Sequence, residues 1–222
     1  MKAGMISPNL KTVKDIYEDF VQRTPSEQPL LGFNDRTITM EEMSTKVDAF
    51  TAHLSQLGVR PGVVVGYTLP NRPEAIYLYS PLAQLGGCAF PLYPMIPDHR
   101  KVGLLQRADA KLIITTSQQY ASLKEAAVQA GAEIPIVTID AHPEGGASLM
   151  PPSPADFDLS SVTPKQMPPN LPLLIASSSG TTGTPKTVLM TQANLAAEAY
   201  AATTFVKPFT DDCPPGYSNA QA

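Results

Sequence analysis

Apolar positions recur at helical spacing near the start of the chain. Val13, Ile16, Tyr17, Phe20 and Val21 make one stripe and predict a helix over about Thr12–Arg23. Thr24-Pro25 stops it, because the residue before a proline is pushed out of the helical region. Leu30–Phe33 and Thr37–Thr39 flank Asn34-Asp35-Arg36 and read as a hairpin. From Thr39 a second helix is predicted. Glu42 follows three residues on, as in a capping box, and Met43, Val47, Phe50, Leu54 and Leu57 continue the stripe to Gly58 at C′.

The period then shortens. Val63–Tyr67 is a continuous apolar run of the kind that suits a strand covered on both faces. Helix is expected near Pro73–Leu85, with Pro81 a local complication. Strand follows at Cys88–Leu92, helix at Pro97–Arg107, strand at Lys111–Thr115, helix at Gln118–Ala130 and strand at Ile134–Ile139. Alternation of this kind means βαβ units. The expected fold class is α/β, a mainly parallel sheet flanked by helices. Residues at about 141–172 interrupt the rhythm with a proline-punctuated connection, unusual in a compact domain unless it has a role of its own. A short strand is expected at Leu173–Ala176, a β-like run at Val188–Met190, a helix from near Asn194, and a polar tail at about 206–222.

Composition narrows the function. Of 222 residues, 43% are apolar, which excludes wholesale disorder. A net charge of −4 argues against a nucleic-acid partner. No apolar run is long enough for a membrane span, no secretory signal opens the chain, and two cysteines make no disulfide framework. The expected compartment is therefore the cytoplasm. His53, His99 and His142 are far apart in sequence, without metal-ligand spacing. Cys88 reads as a buried small residue, Cys213 as a thiol in the polar tail, and Glu41-Glu42 as acids complementing a helix dipole. Tyr77 and Tyr79 read as packing residues, and Asp211-Asp212 as a solvated pair.

The chemistry concentrates at Ser177–Thr187. Phosphate oxygens need donors from several directions. Gly180 and Gly183 let backbone N–H groups form a concave nest, the Ser and Thr hydroxyls add donors on short stems, and Lys186 adds a positive charge behind Pro185. A Walker A loop is the nearest rival, but it needs Gly-Lys where Pro185-Lys186 stands, and it must open a helix.

Ser178-Ser179-Gly180-Thr181-Thr182-Gly183-Thr184-Pro185-Lys186 resembles the signature of the adenylate-forming superfamily, which includes acyl-CoA synthetases and fatty acyl-AMP ligases. The preceding chain resembles the same family in order: Gly58-Val59-Arg60-Pro61-Gly62-Val63, then Leu69–Glu74, then Leu85–Pro94. The resemblance implies an ATP-dependent acid–thiol ligase that turns a carboxylate, fatty or otherwise, into an acyl-adenylate. The acceptor would be coenzyme A or a carrier-protein thiol. It assigns Ser178 through Lys186 to the ATP phosphates, with Thr181, Thr182 and Thr184 donating and Lys186 offsetting charge. It implies ATP and Mg²⁺, with no catalytic residue and no Mg²⁺ ligand located here.

The sequence departs from the family at Thr187, where glycine is usual, and at Thr191-Gln192-Ala193-Asn194, where "Ser/Thr-His-x-Asn" is common. Family members also run on for several hundred residues. The expectation is thus a partial N-terminal AMP-binding domain over 1–222, association-prone through an exposed edge and inactive in adenylation alone. A non-catalytic phosphate- or partner-binding remnant and a Walker-type NTPase stay as alternatives.

Overall fold

The computed structural model describes residues 6–150, 157–177 and 186–205. Helix α1 (Val13–Arg23) starts where its cap dictates. The Thr12 hydroxyl accepts from the Asp15 N–H at 3.0 Å, and the Asp15 carboxylate accepts from the Thr12 N–H at 3.2 Å. Strands β1 (Pro29–Phe33) and β2 (Arg36–Thr39) form an antiparallel hairpin. Its turn is shorter than expected, because Arg36 joins β2 and only Asn34 and Asp35 remain outside. Both sit at positive φ, 48° and 59°, which Asn and Asp tolerate better than other side-chain-bearing residues. In α2 (Met40–Gln56) the Thr39 hydroxyl accepts from the Glu42 N–H at 3.3 Å. Only half of the expected capping box forms, since the Glu42 carboxylate turns to Arg36.

The parallel core follows as β3 (Val64–Tyr67), β4 (Cys88–Pro91), β5 (Leu112–Thr115) and β6 (Ile136–Thr138). Between β3 and β4 the single expected helix is two: α3 (Pro73–Tyr77) and α4 (Tyr79–Leu85). Pro81 has no N–H to give the Tyr77 carbonyl, so the helix breaks at Leu78. Helix α5 (Asp98–Arg107) links β4 to β5, and α6 (Ser117–Gln129) links β5 to β6. β6 is shorter than expected, and Pro135 at its entrance lacks an N–H.

The proline-rich connection is held to the core at particular points. Ser148 bridges Thr138 in parallel, and the Leu149 N–H donates to the Thr138 carbonyl at 2.7 Å. Leu149 and Met167 are buried. The chain then enters β7 (Pro172–Ser177), returns as β8 (Thr187–Thr191) and leaves in α7 (Gln192–Phe205).

The main sheet has the order β6-β5-β3-β4-β7-β8, parallel except for β8, which is antiparallel to β7. Both faces of its centre are covered, as a mostly parallel sheet requires. On one side Val65, Tyr67, Ala89 and Ile114 join Phe50, Leu54 and Leu82 from α2 and α4. On the other, Phe90 and Ile113 join Val102, Leu105 and Leu123 from α5 and α6. Among the described strands β8 is the edge beside β7, and it shows Val188 and Leu189 at 58% and 56% exposure.

Candidate functional site

In open α/β sheets, ligands bind outside the carboxyl ends of the parallel strands. The chain leaves β7 at that end through Ser177 and returns at Lys186-Thr187. Ser178, Ser179, Gly180, Thr181, Thr182, Gly183, Thr184 and Pro185 lie outside the described residues. Their flanks are well defined. Ser177 pairs with Thr187 in the β7–β8 ladder, so the loop begins and ends on neighbouring strands. Lys186 is exposed at its mouth. Thr187 belongs to the strand, where a β-branched residue is at home, so this hairpin accepts threonine in place of the usual glycine.

The Walker alternative does not survive this geometry. A P-loop lysine and its following hydroxyl open a helix. Here Thr187–Thr191 is extended, and α7 begins only at Gln192.

The far end of β8 is pinned by a residue whose role the sequence concealed. Gln192 is 0% exposed. Its Oε1 accepts from the Val13 N–H at 3.0 Å, and its Nε2 donates to the Ala83 carbonyl at 3.1 Å. One side chain thus joins the base of the hairpin to the first turn of α1 and to α4. The backbone adds bonds from the Gln192 N–H to the Leu171 carbonyl (2.9 Å) and from the Ala193 N–H to the Pro169 carbonyl (2.8 Å). Asn194 completes the junction: its Oδ1 accepts from the Thr191 N–H and hydroxyl, both at 2.9 Å. In sequence, Gln192 registered only as a missing histidine. No periodicity marks a glutamine that serves backbone groups so far away along the chain.

Gln192→Ala is expected to lower the unfolding free energy by about 1–3 kcal/mol, because a buried donor and a buried acceptor are orphaned together. Urea denaturation measures it. A change inside about 0.5 kcal/mol, the usual range for a surface substitution, shows that the junction does not depend on this side chain.

The other singled-out residues are not brought together. Among the described residues no group of three or more His, Cys, Asp or Glu, His53, His99 and His142 included, is placed to hold a metal ion. Cys88 is buried in β4, and burial pushes its thiol up to about 11, far from a reactive thiolate. Tyr77 is buried, and Tyr79 meets the edge of the Tyr67 ring at 6.3 Å, so both serve packing. Glu41 and Glu42 occupy the first turn of α2. Asp211, Asp212 and Cys213 lie outside the described residues. No described helix is long and apolar enough to cross a membrane.

Residues 17–214 match the family model described as AMP-binding enzyme. The chain belongs to the AMP-binding enzyme family. Among curated AMP-binding relatives, gramicidin S synthase 2 of Aneurinibacillus migulanus is 26% identical over 85% of this chain and 4% of its own length. Sulfoacetate–CoA ligase of Cupriavidus necator is 29% identical over 72% of this chain and 30% of its own. The solved structure of the anthranilate CoA ligase AuaEII in complex with anthranoyl-AMP superposes with a TM-score of 0.68 at 19% identity, covering 88% of this chain and 38% of that one. That likeness places the α/β sheet within the AMP-binding fold. The chain spans less than a third of the length of each of these two curated relatives.

Proposed function

We propose that this chain carries the ATP-phosphate grip of an enzyme that activates a carboxylate. A carboxylate oxygen attacks the α-phosphorus of ATP, the bond from that phosphorus to the α–β bridging oxygen breaks, and pyrophosphate leaves from an acyl-adenylate. A thiol, of coenzyme A or of a carrier protein, then takes the acyl group and AMP departs. The observation that carries the reading is the β7–β8 hairpin at the carboxyl edge of the parallel strands, in a chain matched to the AMP-binding family over most of its length.

Ser178, Ser179, Gly180, Thr181, Thr182, Gly183, Thr184, Pro185 and Lys186 would cradle the outer phosphates. Backbone N–H groups at the glycines, three threonine hydroxyls and the Lys186 ammonium would offset charge gathering on the departing pyrophosphate. These groups bind and stabilise; none takes or gives a proton. The family implies Mg²⁺ as well, but the described residues offer no ligand cluster for it and no step is routed through it. The relatives act on sulfoacetate and in gramicidin S synthesis by name, so the acid need not be fatty.

The second reading is a phosphate-binding segment without chemistry of its own. Exchange of labelled pyrophosphate into ATP, run with a panel of carboxylates and an acid-free blank on this chain and in parallel on a chain that carries the downstream half of the family's length, separates the two. Acid-dependent exchange establishes the first. Saturable ATP binding without exchange leaves the second, and absence of both overturns the pair.

A further inference from the structure

The hairpin that presents Lys186 is joined to the parallel core by little. β7 shares one register pair with β4, Ala89 opposite Leu174, against four between β3 and β4. Among the described strands β8 pairs only with β7, and its other edge has no neighbour. Inside the hairpin the register is continuous, from Ser177 opposite Thr187 to Leu174 opposite Met190. β7 and β8 therefore behave as one ribbon. A ribbon joined to its sheet at one pair can change its angle there, and other bonds decide that angle. Leu173 is buried in the core, but apolar packing has no preferred direction.

The directional bonds come from Gln192, the residue that follows β8. It is fully buried and reaches two helices far off in sequence. Its Oε1 accepts from Val13 in the first turn of α1, and its Nε2 donates to Ala83 in α4. One bond accepts and the other donates, so the group that makes both must carry both functions, as a primary amide does. No solvent reaches the side chain to replace either bond, and its loss leaves two backbone groups unpaired. The backbone bonds at the same place do other work. The Gln192 N–H donates to Leu171 and the Ala193 N–H to Pro169, which return to the chain just before β7. They tie the ribbon to its own entry. The Gln192 amide ties it to the helices.

Resting on the phosphate role proposed above for Lys186, we infer that Gln192 is the positioning residue for that lysine. Its amide sets the angle of the β7–β8 ribbon against α1 and α4, and so sets where the opposite end of β8 holds Lys186. Gln192 touches no ligand itself. Its effect is carried along the strand.

Two variants separate positioning from stability. Gln192→Ala deletes the clasp. Val137→Ala leaves a cavity at β6, on the opposite edge of the sheet, and controls for lost stability alone. Each whole chain is studied below its melting transition. Backbone amide shifts and hydrogen exchange are read over Lys186–Thr191, and ATP affinity by equilibrium dialysis. Gln192→Ala is expected to shift the Lys186 and Thr187 amides and to speed exchange across β8 by roughly tenfold, the change in local opening that follows the loss of neutral hydrogen bonds. ATP affinity is expected to fall roughly three- to tenfold, because apparent affinity scales with the fraction of molecules in the competent pose. Val137→Ala is expected to change none of these. That contrast supports the assignment. Unmoved Lys186 and Thr187 amides, equal effects in the two variants, or moved amides with unaltered ATP affinity overturn it. If the unaltered chain binds no ATP, the phosphate reading falls by itself, and the amide comparison alone decides for or against Gln192. Should Gln192→Ala fail to fold, Gln192→Met, which fills similar space without donor or acceptor, takes its place in every comparison.

Discussion

Phe50→Ala is expected to lower the unfolding free energy by about 3–5 kcal/mol, the range for truncating a buried phenylalanine. Phe50 is 1% exposed, in the middle of α2, within the cluster that also holds Leu54, Leu82, Val65 and Ile114. Truncation removes most of the ring's contacts and leaves a cavity that a helix tied at both ends cannot collapse to fill. Domains of this size hold only about 5–15 kcal/mol of stability, so a large share of the total goes with one ring. Urea denaturation should show a lower midpoint at an unchanged slope. Phe20, partly exposed on α1, is the control, and its alanine variant should lose much less. A loss below about 1 kcal/mol for Phe50, the median for any point mutation, means that α2 does not cover the sheet as described.

Lys186→Met is expected to weaken ATP binding by roughly 10- to 100-fold, since a hydrogen bond to a charged group is worth about 1.5–3 kcal/mol. The methionine keeps the length of the stem and deletes only the charge and its donors. Lys186 is exposed, so the melting temperature should move little while the affinity falls. Equilibrium dialysis against labelled ATP reads the first quantity and a thermal melt the second. Unaltered ATP affinity removes Lys186 from the phosphate site. A fall in affinity that is matched by a fall in melting temperature makes it a structural residue.

Much of this architecture was readable from local chemistry. Helices α1 and α2 announce themselves by their apolar stripes; the Thr39 cap of α2 forms by half, and the full capping box at Thr12 was not read from the sequence. The continuous run Val63–Tyr67 marked a strand covered on both faces, and β3 forms there. The readings that shifted did so where a single backbone group decides. Pro81 cannot donate to Tyr77, and two helices replace one. Arg36 prefers the ladder with Phe33 to the turn. Long-range pairing was less visible. The order of strands across the sheet leaves no mark in any window of residues, and neither does the attachment of 148–149 beside β6.

The candidate site divides in the same way. The run Ser178–Lys186 stands out in the sequence by its glycines, hydroxyls and lysine, and its assignment to the ATP phosphates is a proposal, since Ser178–Pro185 lie outside the described residues. What anchors that bend was not found. Gln192 bonds to Val13 and Ala83, and those contacts depend on how α1 and α4 are brought to the hairpin.

The place of β7 has a bearing on how the molecule comes into being. On the ribosome, β3, β4, β5 and β6 all emerge before Pro172, and they can zip together while β4 waits with one flank bare. β7 fills that flank only after some eighty further residues have been made, and it brings β8 with it. Distant partners close late and at a greater entropic cost than near ones. Translation therefore fits the β7–β8 hairpin late, onto a platform already standing.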